Sequence, residues 1–287
     1  MNHKDSPKAQ IGAQIDDAVV KKYFDNAKGG TAATVSMMTH EFNLPASAAV
    51  YRLNKETQAI SDWLGSVHEP GRVLDVGCGA GTWSEIFAGR YKTVIGIEQS
   101  SLMLKAARER TAHLPNVKIV EGDGRHDIPE GPFDMIFLGG LCMYLNDDDV
   151  MALLKALKSR LTEGGSIILR ESTLHQGVSL SQGEYQALYR SVNLYRQLID
   201  GAGSFRVEVR RNYGYTNLVT AEELVSLRRR WLPFLPKDST TLGALTWWAL
   251  RGTAPISFRA MPRIFSQFSI PWPRLQNHFF RLRLGKT

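Results

Sequence analysis

Between about residues 71 and 211, apolar residues fall in short runs separated by amphipathic stretches. Arg72 to Val76, Thr93 to Ile97, Val117 to Val120, Met135 to Leu138 and Ser166 to Arg170 read as strands, the fourth entered through the polar Asp134. Thr82 to Ala88 and Ser101 to Thr111 predict helices between them. Behind an N-capping Asn146, residues Val150, Leu153, Leu154, Leu157 and Leu161 form one apolar stripe, with Gly164-Gly165 as its stop. A helix over Val192 to Ile199, stopped by Gly201, leads to a sixth strand at Phe205 to Val209, and His278 to Leu284 alternates as a last strand. Strands alternating with helices predict an α/β fold with a parallel sheet, because each crossover helix has to cover a sheet face.

Two segments stand outside this alternation. Residues 1–68 predict an amino-terminal helical segment, since Val50, Leu53, Ile60 and Leu64 recur near helical spacing with Trp63 alongside. Residues 212–276 interrupt the chain between the sixth and last strands, and six prolines predict short helices and loops there. The expected division is therefore 1–68, a core over 69–211, an insertion over 212–276, and the final core strand in 277–287.

Composition narrows the class. With 43% hydrophobic and 22% charged residues, the 287-residue chain has the composition of an ordinary globular protein and not of a disordered chain. No apolar run is long enough to span a bilayer, and the polar start MNHKDSPKAQ lacks a signal-peptide core, so a cytoplasmic location is expected. Cys78 and Cys142 are too few for a disulfide framework and read as reduced thiols. The net charge of +7 is uneven: from Ser204 onward there are 14 Lys/Arg against 4 Asp/Glu, so the remainder is net negative. Four of the six tryptophans share that basic third, which suits an anionic partner or an acidic membrane surface as well as it suits a solvated face.

The chemistry concentrates in Val73-Leu74-Asp75-Val76-Gly77-Cys78-Gly79-Ala80-Gly81-Thr82. An apolar strand carries an acid near its end, and three glycines then let the backbone turn sharply and approach a ligand. Glu98 ends the second strand about 20 residues on, where an acid accepts hydrogen bonds from ribose hydroxyls. A dinucleotide enzyme would use the same acid. However, its helix-packing glycine would fall on Thr82, and Asp75 would repel a pyrophosphate, whereas an acid suits the ammonium of an amino-acid moiety.

The segment DVGCGAGT resembles motif I of the class I S-adenosylmethionine-dependent methyltransferases, and the similarity continues for about 100 residues through Glu121-Gly122-Asp123-Gly124, Phe133 to Leu138 and Leu161 to Gly165. The resemblance implies a Rossmann-like seven-stranded, mostly parallel sheet in the order 3-2-1-4-5-7-6, with the last strand antiparallel. It implies S-adenosylmethionine as donor, S-adenosylhomocysteine as product and no metal. The cofactor residues it points to are Asp75, Gly77, Gly79, Gly81, Glu98, Gln99, Asp123, Gly124 and Leu138, with Asp123 on the adenine amino group and Glu98 on the ribose.

Acceptor residues are expected where the strands end. Tyr144 follows the fourth strand, and Glu171 and His175 follow the fifth; these are the candidates for a hydrogen-bonding wall or a base. The amino-terminal segment and the insertion are expected to cap the site, with Tyr51 and Arg52 from the first, and Arg228 and Trp231 from the second, holding an anionic group beside an apolar body; His40-Glu41 would join the closure. A small-molecule acceptor methylated on oxygen or nitrogen is the leading expectation. Protein amino termini and nucleic acid are the alternatives, the latter disfavoured because Leu138-Gly139-Gly140-Leu141 replaces the Asn/Asp-Pro-Pro-aromatic tetrad of the amino-group methylases. Peripheral membrane contact is open.

Overall fold

The computed structural model describes residues 14–26, 42–64, 71–268, 270 and 272–285. Its elements in chain order are α1 (Asp17–Asp25), α2 (Ala46–Ala59), α3 (Ser61–Leu64), β1 (Arg72–Val76), α4 (Thr82–Ala88), β2 (Thr93–Glu98), α5 (Ser101–Thr111), β3 (Val117–Glu121), β4 (Phe133–Leu138), α6 (Asp147–Lys158), β5 (Leu161–Leu174), β6 (Val178–Ser181), β7 (Ala187–Ser191), α7 (Val192–Ala202), β8 (Phe205–Arg211), α8 (Tyr213–Trp231), α9 (Thr240–Gly252), α10 (Met261–Gln267) and β9 (Gln276–Leu284). They fall into two compact units. One contains α1, the described part of Trp63–Arg210 and the chain from His278; the other contains the described residues 42–62 and Arg211–Asn277.

The first unit is built on the sheet. Val73, Leu74 and Val76 of β1 are fully buried between parallel neighbours, with Leu74 opposite Ile95 of β2 and Ile136 of β4. Counted over the seven expected strands, the pairing runs β3-β2-β1-β4-β5-β9-β8, the 3-2-1-4-5-7-6 order. The order reverses at β1 and β4, and ligands of open α/β sheets sit at the carboxyl ends of strands beside such a reversal. The apolar stripe of α6 closes one face: Val150, Leu153, Leu154 and Leu157 join Leu74, Ile136 and Ile167 in one core, each contributing roughly 1.5–3 kcal/mol by burial.

Several local expectations are corrected. The hairpin β6–β7 was not anticipated; it extends the sheet by pairing β7 with the end of β5 at Thr173 and Leu174. Gly164-Gly165 does not stop a helix but lies within β5, where the register with β4 slips and Gly164 adopts φ +86°. Helix α7 runs past Gly201 and ends at Gly203, whose φ is +136°. Asn146 precedes α6 without capping it, because its side chain is spent on the backbone of Ile15, accepting from the N–H and donating to the carbonyl.

The stretch 1–68, expected as one segment, is divided between the units. In α2 the buried face carries Ala48, Ala49, Arg52 and Glu56, whereas Val50 is exposed. An Arg52–Glu56 ion pair, with Glu56 also accepting from Asn212, occupies the interior position that apolar spacing assigned to Val50 and Leu53. The insertion opens on the 19-residue α8, since its first proline comes only at Pro233. Residues Leu218, Ala221 and Val225 of α8 meet Ala48, Trp247, Leu250 and Phe258 in a second core.

Candidate functional site

At the end of β1 the chain turns through Gly77, Gly79 and Gly81, all at positive φ of +55° to +77°. An L side chain would be strained at each. Gly79 has a further property: a Cβ there would meet no atom within 4 Å, so its backbone lies bare toward open space. Gly81 differs, because a Cβ would lie 3.2 Å from both Cα and Cβ of Ala107 in α5.

Two carboxylates flank the turn. Glu98 accepts from the Gly79 N–H at 2.9 Å and from the Ser100 N–H at 2.8 Å, and so pins the turn to the end of β2. A carboxylate has about four acceptor positions. With backbone groups of Gly79, Gln99 and Ser100 engaged, Glu98 keeps capacity for a sugar hydroxyl. Burial raises its carboxyl above the usual range despite those hydrogen bonds. Asp75 lies beneath the turn, 1% exposed, and accepts from Ser84 Oγ at 2.6 Å. Burial drives its carboxyl up, the Ser84 bond opposes this and the Glu98 charge adds to it, leaving it at about 7.

The loop after β3 supplies the third acid. Asp123 is half-buried, and its carboxylate accepts from the Arg125 backbone N–H and from Nε and Nη2 of the same guanidinium. Burial alone would raise this carboxyl, but Arg125 outweighs it and holds it below the usual range. Arg125 also pairs with Asp17 at the start of α1. Gly124 approaches β1 so closely that a Cβ would lie 2.5 Å from Val76 Cγ1. Gln99 is half-buried beside Glu98, and Leu138 is fully buried at the end of β4.

Past the ends of β4 and β5, the three acceptor-side candidates separate. Glu171 is fully buried; it accepts from the Cys142 N–H at 3.0 Å and from Tyr195 Oη at 3.3 Å. Burial lifts its carboxyl to about 7 against the Cys142 bonds and the Arg190 charge. Both oxygens face the interior, which suits a positioning role. His175 is half-buried in the turn between β5 and β6. Tyr144 joins a row of hydroxyls, 3.2 Å from Tyr185, which is 3.1 Å from Tyr189 of β7; Phe24 of α1 packs edge-on to Tyr144. Sequence reasoning missed Tyr185 and Tyr189 because it missed their hairpin.

Residues 73–165, spanning the turn, Glu98 and Asp123, match the family described as methyltransferase domain. Residues 73–165 are a methyltransferase domain. Trans-aconitate 2-methyltransferase of Rhodopseudomonas palustris is 34% identical over 103 residues, 35% of this chain and 38% of that protein. The chain thus spans about two fifths of the curated relatives it matches first. Among solved structures, a SAM-dependent methyltransferase of Leishmania major has a TM-score of 0.55 at 20% identity, covering 68% of this chain and 76% of that one. Phosphoethanolamine N-methyltransferase 1 of Haemonchus contortus has a TM-score of 0.59 at 18% identity, covering 94% of this chain and 49% of that one.

Outside the methyltransferase domain, the four substrate candidates of the second unit are not gathered. Tyr51 packs on Trp247 and accepts from Asn217 Nδ2 at 3.2 Å, with Arg52 on the buried side of α2. Arg228 and Trp231 lie toward the other end of α8. Trp231 is 14 residues from Asn217, about 21 Å along a helix. Arg228 Nη2 donates to the Lys237 carbonyl at 3.4 Å, and Trp231 is exposed.

The two glycines of the methyltransferase turn are separable by substitution. Gly79→Ala and Gly81→Ala each carry a backbone strain of about 1–2 kcal/mol. Only Gly81→Ala adds a collision with α5, and only Gly79→Ala fills the open space. Thermal melts and S-adenosylhomocysteine titrations are expected to show Gly81→Ala losing more stability and Gly79→Ala losing more affinity. The reverse ranking would show that the open face of Gly79 is not a ligand surface.

Proposed function

We propose that the whole chain is an S-adenosylmethionine-dependent methyltransferase acting on oxygen or nitrogen of a small acceptor that is anionic or partly apolar. The observation that carries this is the bare Gly79 turn held by Glu98, with buried Asp75 below it. A carboxylate pair of this kind suits a ribose and a cationic sulfonium and disfavours a pyrophosphate. The donor supplies an electrophilic methyl carbon for in-line displacement; the chain's own residues have to hold the acceptor in near-attack geometry and exclude water.

Support for a small acceptor comes from two elements beyond the seven-stranded core. Helix α1 and the β6–β7 hairpin converge at Tyr144, where Phe24 and Tyr185 crowd the exit of β4. The Tyr144–Tyr185–Tyr189 row of hydroxyls gives that exit a polar wall, which suits an acceptor bearing carboxylate or phosphate oxygens. The relatives named for trans-aconitate and phosphoethanolamine act on anionic molecules, which favours the same reading. The test is methyl incorporation from radiolabelled S-adenosylmethionine into pooled small carboxylates and phosphoesters, into peptides and into nucleic acid. Label is expected in the small-molecule pools, and Tyr144→Phe is expected to raise KM for the acceptor. Label entering only peptide or nucleic acid would overturn the proposal.

A further inference from the structure

Exposed apolar side chains are unevenly distributed. Among the described residues thirteen large hydrophobic side chains are exposed, and ten of them lie in Leu227–Ile270, about one sixth of the chain. The same stretch carries seven Lys/Arg against the single Asp238. Neither feature is needed to build the core of that unit.

Helix α9 makes the point locally. Among its 13 residues only Arg251 is charged. Its inner face is committed: Trp247 is buried against Tyr51 and Phe258, and Gly243 lies so close to the backbone of Asn43 that a Cβ would sit 2.1 Å from its carbonyl oxygen. The helix therefore cannot roll to bury its other side. That other side presents Leu245 and Trp248, one turn apart and about 60% exposed. A helix apolar on both faces belongs in a buried setting, and here one face has no cover among the described residues. Ile256, Ile264 and Phe268 continue the exposed apolar series in sequence beyond α9, interleaved with exposed Arg259 and Arg263, while Arg251 stacks on the Tyr51 ring at 4.1 Å.

We propose that the Leu245–Trp248 face of α9, with Ile256, Ile264, Phe268 and the interleaved arginines, is an interfacial surface that seats on an anionic lipid bilayer. Aliphatic and tryptophan side chains enter the headgroup–acyl boundary while arginines meet lipid phosphates. A second copy of this chain would bring the same excess of arginines against itself. Nucleic acid would leave the aliphatic side chains without a partner. No helix among the described residues is long and apolar enough to cross a membrane, so the mode is lying on the surface.

Co-sedimentation of the full chain with vesicles of phosphatidylcholine containing about one third phosphatidylglycerol tests this, beside pure phosphatidylcholine vesicles. The chain is expected to pellet with the anionic vesicles and much less with the neutral ones. The double variant Trp248→Glu/Phe268→Glu is expected to weaken partitioning by about tenfold or more while keeping the thermal melt and S-adenosylhomocysteine binding. Bromine-labelled lipid should quench tryptophan emission of the unsubstituted protein, a readout that needs no variant. Failure to pellet, absence of quenching, or equal pelleting of a folded double variant would overturn the proposal. So would light scattering that shows a dimer which the double variant splits, because a second copy would then cover the face.

Discussion

Glu98→Ala is expected to weaken S-adenosylmethionine binding by about a hundredfold or more while the protein remains folded. Each hydrogen bond to a charged group contributes roughly 1.5–3 kcal/mol, and Glu98 would lose its sugar contacts together with the tie to Gly79. The second loss compounds the first, because the turn then no longer presents its bare backbone at a fixed height. Glu98→Gln tests the geometry more finely. The two carboxylate oxygens accept from two backbone N–H groups, Gly79 on one side and Ser100 on the other. An amide accepts on one side only and opposes its own N–H₂ to a donor on the other. Calorimetry should therefore find Gln weaker than Glu by about tenfold or more, since a buried donor is left unmet. Wild-type affinity in either variant would remove Glu98 from the site.

Arg190→Ala is expected to give the largest loss of stability of any single substitution considered. The guanidinium is 1% exposed and donates to the Cys142 carbonyl at 2.8 Å, the Leu145 carbonyl at 2.7 Å and Asp147 Oδ1 at 2.7 Å. It thereby fixes the turn from β4 into α6, where Tyr144 stands. Truncation takes the guanidinium donor from the Leu145 carbonyl, leaves the Cys142 carbonyl with only the Leu145 N–H, and removes the cation that favours ionised Glu171. Because Asp147 is exposed, the cost falls on the buried carbonyl left without its donor, about 1–3 kcal/mol. For a chain of this size that is a fall of roughly 5 °C in Tm. Arg190→Lys should fall between, since an ammonium keeps the charge but cannot reach three acceptors in a planar fork. A loss under about 1 kcal/mol for the Ala variant would mean the turn is held by other contacts.

The glycine turn, Glu98 and the seven core strands were legible because the residues that build them signal locally: a buried strand is a continuous apolar run, and a sharp turn against a ligand requires glycine. The β6–β7 hairpin was hidden because Val178-Ser179-Leu180-Ser181 offers only two alternations and no two-residue turn signature. The buried face of α2 escaped for a different reason. Apolar spacing cannot register an ion pair such as Arg52–Glu56 packed inward, while Val50 faces out. Asp123 was legible as an acid in the loop after β3, but not its engagement with Arg125 and, through it, Asp17, which depends on α1 folding beside the loop. Trp231 and Trp248 would be assigned to the interior by composition alone, and both are exposed. Exposure of that kind is a tertiary property, which composition does not register.

Asp75 at about 7 and the raised Glu98 give the central claim its most direct test. A sulfonium cation stabilises the ionised carboxylates, so binding favours their deprotonated forms and strengthens as pH rises toward and through the free-protein value of Asp75. Calorimetric titration with S-adenosylmethionine at about pH 6 and about pH 7.5 should show saturable binding, several-fold tighter at the higher pH and accompanied by proton release. NAD, titrated alongside, should give no heat. Tight NAD uptake with indifference to S-adenosylmethionine would contradict the account at its foundation.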